Sequence, residues 1–168
     1  MVTQPQFVFY VTTPEKRRPV HIMGGNFKFI TSRKEHFFGM INHWVTKQEQ
    51  MRVSDLEKTI IDSLCRPDNC GGITEAAKGI WMRRQDVNLD RLIEYALKMN
   101  IGAVIRRLGY LLELYAICSP ELLETLRSHL TETYSRIDPI LPPEGKFIRK
   151  WRLQLNVSPG ELLSAAST

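Results

Sequence analysis

VSDLEKTIIDSL (residues 53–64) is where the pattern of this chain changes. Val53, Leu56, Ile60, Ile61 and Leu64 recur at three- and four-residue spacing, which puts them on one face of an α-helix. Ser54 stands at its start with Glu57 three residues on, the spacing of a capping box, and Pro67 is the stop. The chain before this stretch reads as strands, and most of the chain after it reads as helices.

On the N-terminal side, residues 7–12 are β-branched and aromatic and apolar on both faces, the pattern of a buried strand. Residues 14–19 make a charged loop carrying Lys16, Arg17 and Arg18. Residues 19–23 and 27–31 flank Gly24-Gly25-Asn26, a hairpin signal because Gly and Asn tolerate the positive φ of a tight turn. Residues 40–47 and 50–53 flank a polar turn and predict a second hairpin. Two hairpins in succession predict an antiparallel or mixed sheet.

On the C-terminal side, helical spacing continues over residues 73–84, over 89–99 with Asn88 as the cap, and over 101–117. A fifth helix starts at Pro120 after the capping Ser119, with Leu122, Leu123, Leu126 and Leu130 facing inward. Residues 138–145 are proline-rich and predict an extended connector. Residues 147–155 alternate. Phe147, Arg149, Trp151, Leu153 and Leu155 share one face, and Lys150 and Arg152 share the other with Ile148 and Gln154. That predicts a closing strand with a basic face, returning to the N-terminal sheet. Residues 159–168 are expected to be a fraying tail. The fold class is therefore α/β of the α+β kind, in a single domain over residues 1–168. It has a hairpin-rich N-terminal sheet, a bundle of about five helices and a closing C-terminal strand.

Composition narrows the function classes. The 168 residues, 43% hydrophobic and 24% charged, are enough for a globular domain with its own core. No run approaches the roughly 18 apolar residues of a membrane-spanning helix, and the first residues show no signal-peptide pattern, so no membrane partner and a cytoplasmic location are expected. Three cysteines, an odd number, argue against a secreted disulfide framework. Cys65, Cys70 and Cys118 also lack the two tight ligand pairs of a zinc site, and neither metal nor cofactor is expected. The net charge of +5 is uneven: +4 over residues 1–50, zero over 51–100, −2 over 101–145 and +3 over 146–168. Basic ends suit phosphate or an acidic protein.

Catalytic patterns are sparse. Gly24-Gly25 and Gly71-Gly72 are pairs only, without a phosphate-loop pattern, and no nucleophile elbow surrounds any serine. Asp55, Glu57 and Asp62 cluster with Lys58, but Glu57 and Lys58 are adjacent where a metal-dependent nuclease separates its acid and lysine by one residue. Glu57 points toward the apolar face, and capping of its own helix or pairing with an arginine accounts for it without catalysis. In the helix over 101–117, Arg106 falls opposite the apolar stripe with Tyr110 and Glu113, and Arg107 falls at its edge, within reach of Glu57. Gly102, Gly109 and Ala116 recur every seven residues and predict a shallow strip on which another helix packs. The expected contacts with a nucleic acid or another partner are Lys16, Arg17, Arg18, Lys150 and Arg152.

Several segments taken in series carry a resemblance. They are Phe9-Tyr10-Val11-Thr12-Thr13, the stretch over 53–62, Arg66-Pro67-Asp68 with Cys70-Gly71-Gly72-Ile73, residues 106–113, and Trp151 with Leu155-Asn156. In this order, over residues 7–156, they resemble the C-terminal effector domain of AbiEi-type antitoxins, transcriptional regulators of type IV abortive-infection toxin–antitoxin systems. The resemblance implies an antitoxin that counters a nucleotidyltransferase-like toxin. Many such antitoxins also repress their own operon through an N-terminal winged helix, which is not expected before Phe7. It implies no cofactor and no catalytic residue, hence not an enzyme. Asp55, Glu57, Lys58, Asp62, Arg106, Arg107 and Gly109 are expected to be mainly structural. Alternatives are a nucleic-acid-binding regulator independent of any toxin, bound to DNA or RNA, and a cryptic metal-dependent nuclease on Asp55, Glu57 and Lys58.

Overall fold

A computed structural model describes residues 7–166, and it is mixed α and β as the sequence predicts. The segment before Phe7 and residues 167–168 lie outside the described residues. Where the sequence reads as one domain, the contacts divide the chain into two compact units, Met1–Phe38 and Gly39–Thr168.

The first unit is a three-stranded sheet of β1 (Phe7–Thr13), β2 (Val20–Ile22) and β3 (Gly25–Thr31), in the order β1-β3-β2. β2 and β3 form the expected hairpin, with Val20 opposite Phe27. Its turn residues are Met23 and Gly24, both at positive φ (49° and 80°), so Gly25 and Asn26 belong to the strand. β1 runs parallel to β3, with Phe7 opposite Gly25 and Thr13 opposite Thr31. A Cβ at Gly25 would meet the ring of Phe9 at 2.9 Å, and that ring stacks on Phe27 with centroids 5.0 Å apart. The burial expected of this strand is not found at Val8, Phe9 and Tyr10, which are 40–48% exposed, and Val11 and Thr12 are half-buried. Apolar residues on both faces of a strand are buried only when layers cover both faces. Among its described residues this unit has one small sheet, with β1 at its edge.

The second unit opens with the predicted hairpin of β4 (Met40–Trp44) and β5 (Gln50–Ser54), where Met40 faces Ser54. These two strands pair only with each other among the described residues, so the two hairpins do not join into one sheet. Turn chemistry fixes a hairpin locally but does not choose the neighbour of its outer edge. Five helices come next along the chain: α1 (Leu56–Cys65), α2 (Ile73–Met82), α3 (Leu89–Met99), α4 (Gly102–Leu114) and α5 (Pro120–Ser128). Asn88 and Ser119 cap α3 and α5 as the sequence predicts. The cap of α1 is displaced by one residue. Asp55 accepts the Lys58 amide at 2.8 Å, Ser54 ends β5, and Glu57 takes no part in a capping box.

α4 is the centre of this unit, with α1, α3 and α5 packed against it. Val104, Ile105, Leu108, Leu111 and Leu112 are buried, and so are Arg106, Arg107, Gly109 and Tyr110. Of the inward residues expected on α5, Leu126 is fully buried and Leu122, Leu123 and Leu130 are half-buried. The last segment departs most from expectation. Residues 147–155 are not one strand: β7 (Lys146–Ile148) and β8 (Leu153–Leu155) are antiparallel, joined by a turn over 149–152 in which Arg152 has φ 50°. The ladder partners of β8 are β7 and, in parallel, β6 (Ser135–Arg136).

The turn serves Trp151, whose indole is buried on the face of Gly109. The small-residue strip of α4 therefore receives a side chain at Gly109, not another helix, while at Gly102 it meets the guanidinium of Arg106. Asp138 fixes the connector. Its carboxylate accepts the Ile73 amide at the start of α2 (2.9 Å), and Asn156 bonds both its backbone amide and its carbonyl. The expected fraying tail instead forms α6 (Pro159–Ala165), with a capping box between Ser158 and Glu161 and with Leu162 buried. The Tyr115 hydroxyl donates to the Leu162 carbonyl at 2.9 Å.

Two glycines in helices test this packing with opposite signs. A Cβ at Gly109 overlaps the indole of Trp151, whereas one at Gly79 in α2 meets nothing within 4 Å. Gly109→Ala should destabilise the chain by about 1–3 kcal/mol through overpacking. Gly79→Ala should stabilise it by about 0.5–1 kcal/mol, the helix-propensity difference. Urea titration of the two variants measures both.

Candidate anion-binding groove

The acidic cluster is held by hydrogen bonds and ion pairs. Asp55 accepts the Lys58 amide and the Tyr95 hydroxyl (3.0 Å). Glu57 is buried, accepts the Asn88 amide at 2.8 Å, and lies 3.6 Å from the Arg91 guanidinium. Lys58 is buried and pairs with Asp62 one turn on. Each of the four residues has a fixed task within or between helices. Among the described residues, no group of three or more His, Cys, Asp or Glu side chains is placed to hold a metal ion. Burial raises the thiols of Cys65, Cys70 and Cys118 above their ordinary value.

Arg107 does not reach Glu57. It donates to the Leu64 carbonyl at the end of α1 (2.7 Å) and to the Arg136 carbonyl of β6 through Nε and Nη2 (3.2 and 3.1 Å). Arg106, placed in solvent by the helical wheel, is 2% exposed. Its Nη2 donates to the Thr131 carbonyl and to the hydroxyls of Thr131 and Thr133, at 2.7–3.2 Å. Its Nε is buried with no hydrogen-bond partner. Burial lowers its pKa, and the neighbouring charge of Arg152 lowers it further.

Beside this buried cation lies a groove of about 460 Å³ lined by Glu124, Arg127, Leu130, Arg149, Lys150 and Arg152. Four of the six lining residues are basic and one is acidic. Arg127 pairs with Glu124 at 2.9 Å. Lys150 pairs with Glu113, which also accepts the Trp151 indole N–H at 2.7 Å. Arg152 lies over the Tyr134 ring at 5.7 Å, and the Tyr134 ring meets that of Phe147 edge-on at 5.4 Å. Arg149 is exposed, and no hydrogen bond or ion pair holds its guanidinium among the described residues.

Of the predicted contact residues, Lys150 and Arg152 line this groove, and Lys16, Arg17 and Arg18 lie exposed in the loop between β1 and β2 of the other unit. Sequence reasoning missed Arg127 and Arg149. A strand alternation assigned Arg149 to the apolar face, but the turn over 149–152 brings it to the same groove as Lys150 and Arg152. No local signal marked Arg127, which comes from the last turn of α5. Guanidinium groups gathered in this way suit bidentate recognition of phosphate or carboxylate. No family model matches the chain, and no curated protein or solved structure matches it.

Two measurements probe the frame of the site. Arg107→Met leaves the Leu64 carbonyl and the Arg136 carbonyl without their donor. At about 1–3 kcal/mol for a buried unsatisfied group, the loss should reach about 2–4 kcal/mol in a denaturant titration. Glu113 is governed by two opposed effects: burial raises its pKa, and the bonds from Lys150 and Trp151 outweigh it and hold the carboxyl below its ordinary 4.5. A carboxyl depressed by folding contributes stability above its unfolded pKa and loses it as pH falls through the folded one. Stability should therefore drop below about pH 4.5. In Glu113→Gln this part of the acid dependence should vanish from the same titration run against pH.

Proposed function

We propose that this chain is the effector domain of a type IV antitoxin and regulator, and that it works by binding a macromolecule to counter a nucleotidyltransferase-like toxin, not by catalysis. The observation that carries the reading is the groove of Arg127, Arg149, Lys150 and Arg152. It gathers guanidinium groups around an open surface and leaves Arg149 uncommitted. The motif series from Phe9 to Asn156 supports the family assignment. The structural tasks of Asp55, Glu57, Lys58 and Asp62 weigh against the nuclease alternative. No helix among the described residues is long and apolar enough to cross a membrane.

Growth rescue tests the reading. The chain is co-expressed with the toxin encoded beside its gene, alongside Arg149→Glu/Arg152→Glu and Lys16→Glu/Arg17→Glu/Arg18→Glu. Lys150 is left intact because its ion pair with Glu113 supports Trp151. The unaltered chain should restore growth, and the groove variant should lose rescue while remaining folded. Folded chain that gives no rescue would sink the antitoxin reading and favour a regulator that acts without a toxin.

A further inference from the structure

The geometry points to single-stranded nucleic acid as the macromolecule this groove takes, with phosphates on Arg127, Arg149 and Arg152 and a base on Tyr134 and Phe147. The inference rests on the proposed macromolecule-binding function and deepens it by naming the ligand chemistry.

Two observations support it, and ligand chemistry decides between the anions that fit them. The first is uncompensated charge. A buried cation is normally paired with a carboxylate. Arg106 is instead held by two threonine hydroxyls and a carbonyl, and its charged neighbour is Arg152, another cation. Arg106 touches no ligand itself. Its positive field adds to that of the groove, and an anion bound beside Arg152 would offset both.

The second observation is aromatic. Tyr134 and Phe147 are 41% and 63% exposed although each is large and apolar. They meet edge-on at an interplanar angle of 83°, so their faces point in different directions. Arg152 joins the two features, because it lines the groove and lies over the Tyr134 ring. The parallel ladder holds it there: Ser135 pairs with Leu153, and the Ser135 amide donates to the Arg152 carbonyl at 3.0 Å. Basic side chains that follow a backbone, next to aromatic rings on which bases stack, are how proteins bind single strands without reading sequence.

The combination of cations and exposed rings separates single strands from other anions. A duplex presents phosphates but keeps its bases stacked inside, which leaves Tyr134 and Phe147 idle. Inorganic phosphate uses the cations and has no flat face for the rings, and an acidic peptide offers one only where it carries an aromatic side chain. A single strand supplies phosphate and an unstacked base together.

Fluorescence anisotropy on the full chain tests this with labelled oligouridylate, oligothymidylate and a duplex of matched length. Both single strands should bind more tightly than the duplex. With about three phosphates neutralised, affinity should fall roughly tenfold to thirtyfold between about 50 and 200 mM salt. Phe147→Ala and Tyr134→Ala should each weaken binding about fivefold or more, and Arg149→Glu should weaken it and flatten the salt slope. Thermal melts confirm that each variant is folded; if Tyr134→Ala melts early, Phe147→Ala and Arg149→Glu carry the test, since both residues are exposed.

Duplex binding as tight as single-strand binding, unchanged in Phe147→Ala, would overturn the inference and leave the proposed function standing. So would growth rescue by a chain that binds none of the three probes. Single-strand binding with the expected variant losses, without growth rescue, would uphold the inference and remove the antitoxin reading.

Discussion

The guanidinium of Arg107 ties together elements that the chain separates widely. From the middle of α4 it holds the final carbonyl region of α1 on one side and β6 on the other. The acceptors are neutral backbone carbonyls, and the nearby carboxylate of Asp138 adds to their support of the cation. A buried cation is tolerable when its donors are satisfied, and here Nε, Nη1 and Nη2 all have carbonyl acceptors. With β6 fixed to α4, β8 has a strand to run beside, and β7 returns along β8. Arg107 thus sets where the small C-terminal sheet can form.

That sheet makes the groove. The turn between β7 and β8 drives Trp151 onto Gly109, and Glu113, one turn further along α4, binds both the indole and Lys150. With Trp151 anchored, the flanking Arg149, Lys150 and Arg152 turn outward beside Arg127 of α5. The motif positions Arg106, Arg107, Gly109 and Glu113 therefore act as the base on which the basic turn is mounted. Their hydrogen bonds and packing hold the turn that carries the charged surface. Asp55 and Glu57 likewise tie helices together, their carboxylates accepting the backbone amides of Lys58 and Asn88.

The local signals were legible. Helical spacing located α1 to α5, Asn88 and Ser119 were readable as caps, and the Gly24 and Gln50 regions announced their hairpins. Errors of one residue, as at Ser54 and Asp55, arose because two good caps stand side by side. The larger departures share another cause. Arg106 faces away from the apolar stripe of α4 and is buried because the 131–133 segment, far along the chain, covers that side. The alternation over 147–155 is broken because Trp151 has a pocket at Gly109 that no local pattern reveals. The terminal helix α6 is held by Tyr115, again from a distance.

By itself the sequence determined the α+β class, the order of strands and helices from β1 to α5, the excess of basic charge at both ends, and the residue types available for binding. Spacing and turn chemistry are properties of neighbours along the chain, so they survive reading in one dimension. Only the tertiary structure decided which helix face was covered, which strand stood at an edge, and which cations shared a groove. Those outcomes depend on contacts between residues tens of positions apart, such as Gly109 with Trp151 and Arg107 with Arg136. Periodicity records the faces of an element, and packing alone determines what lies against them.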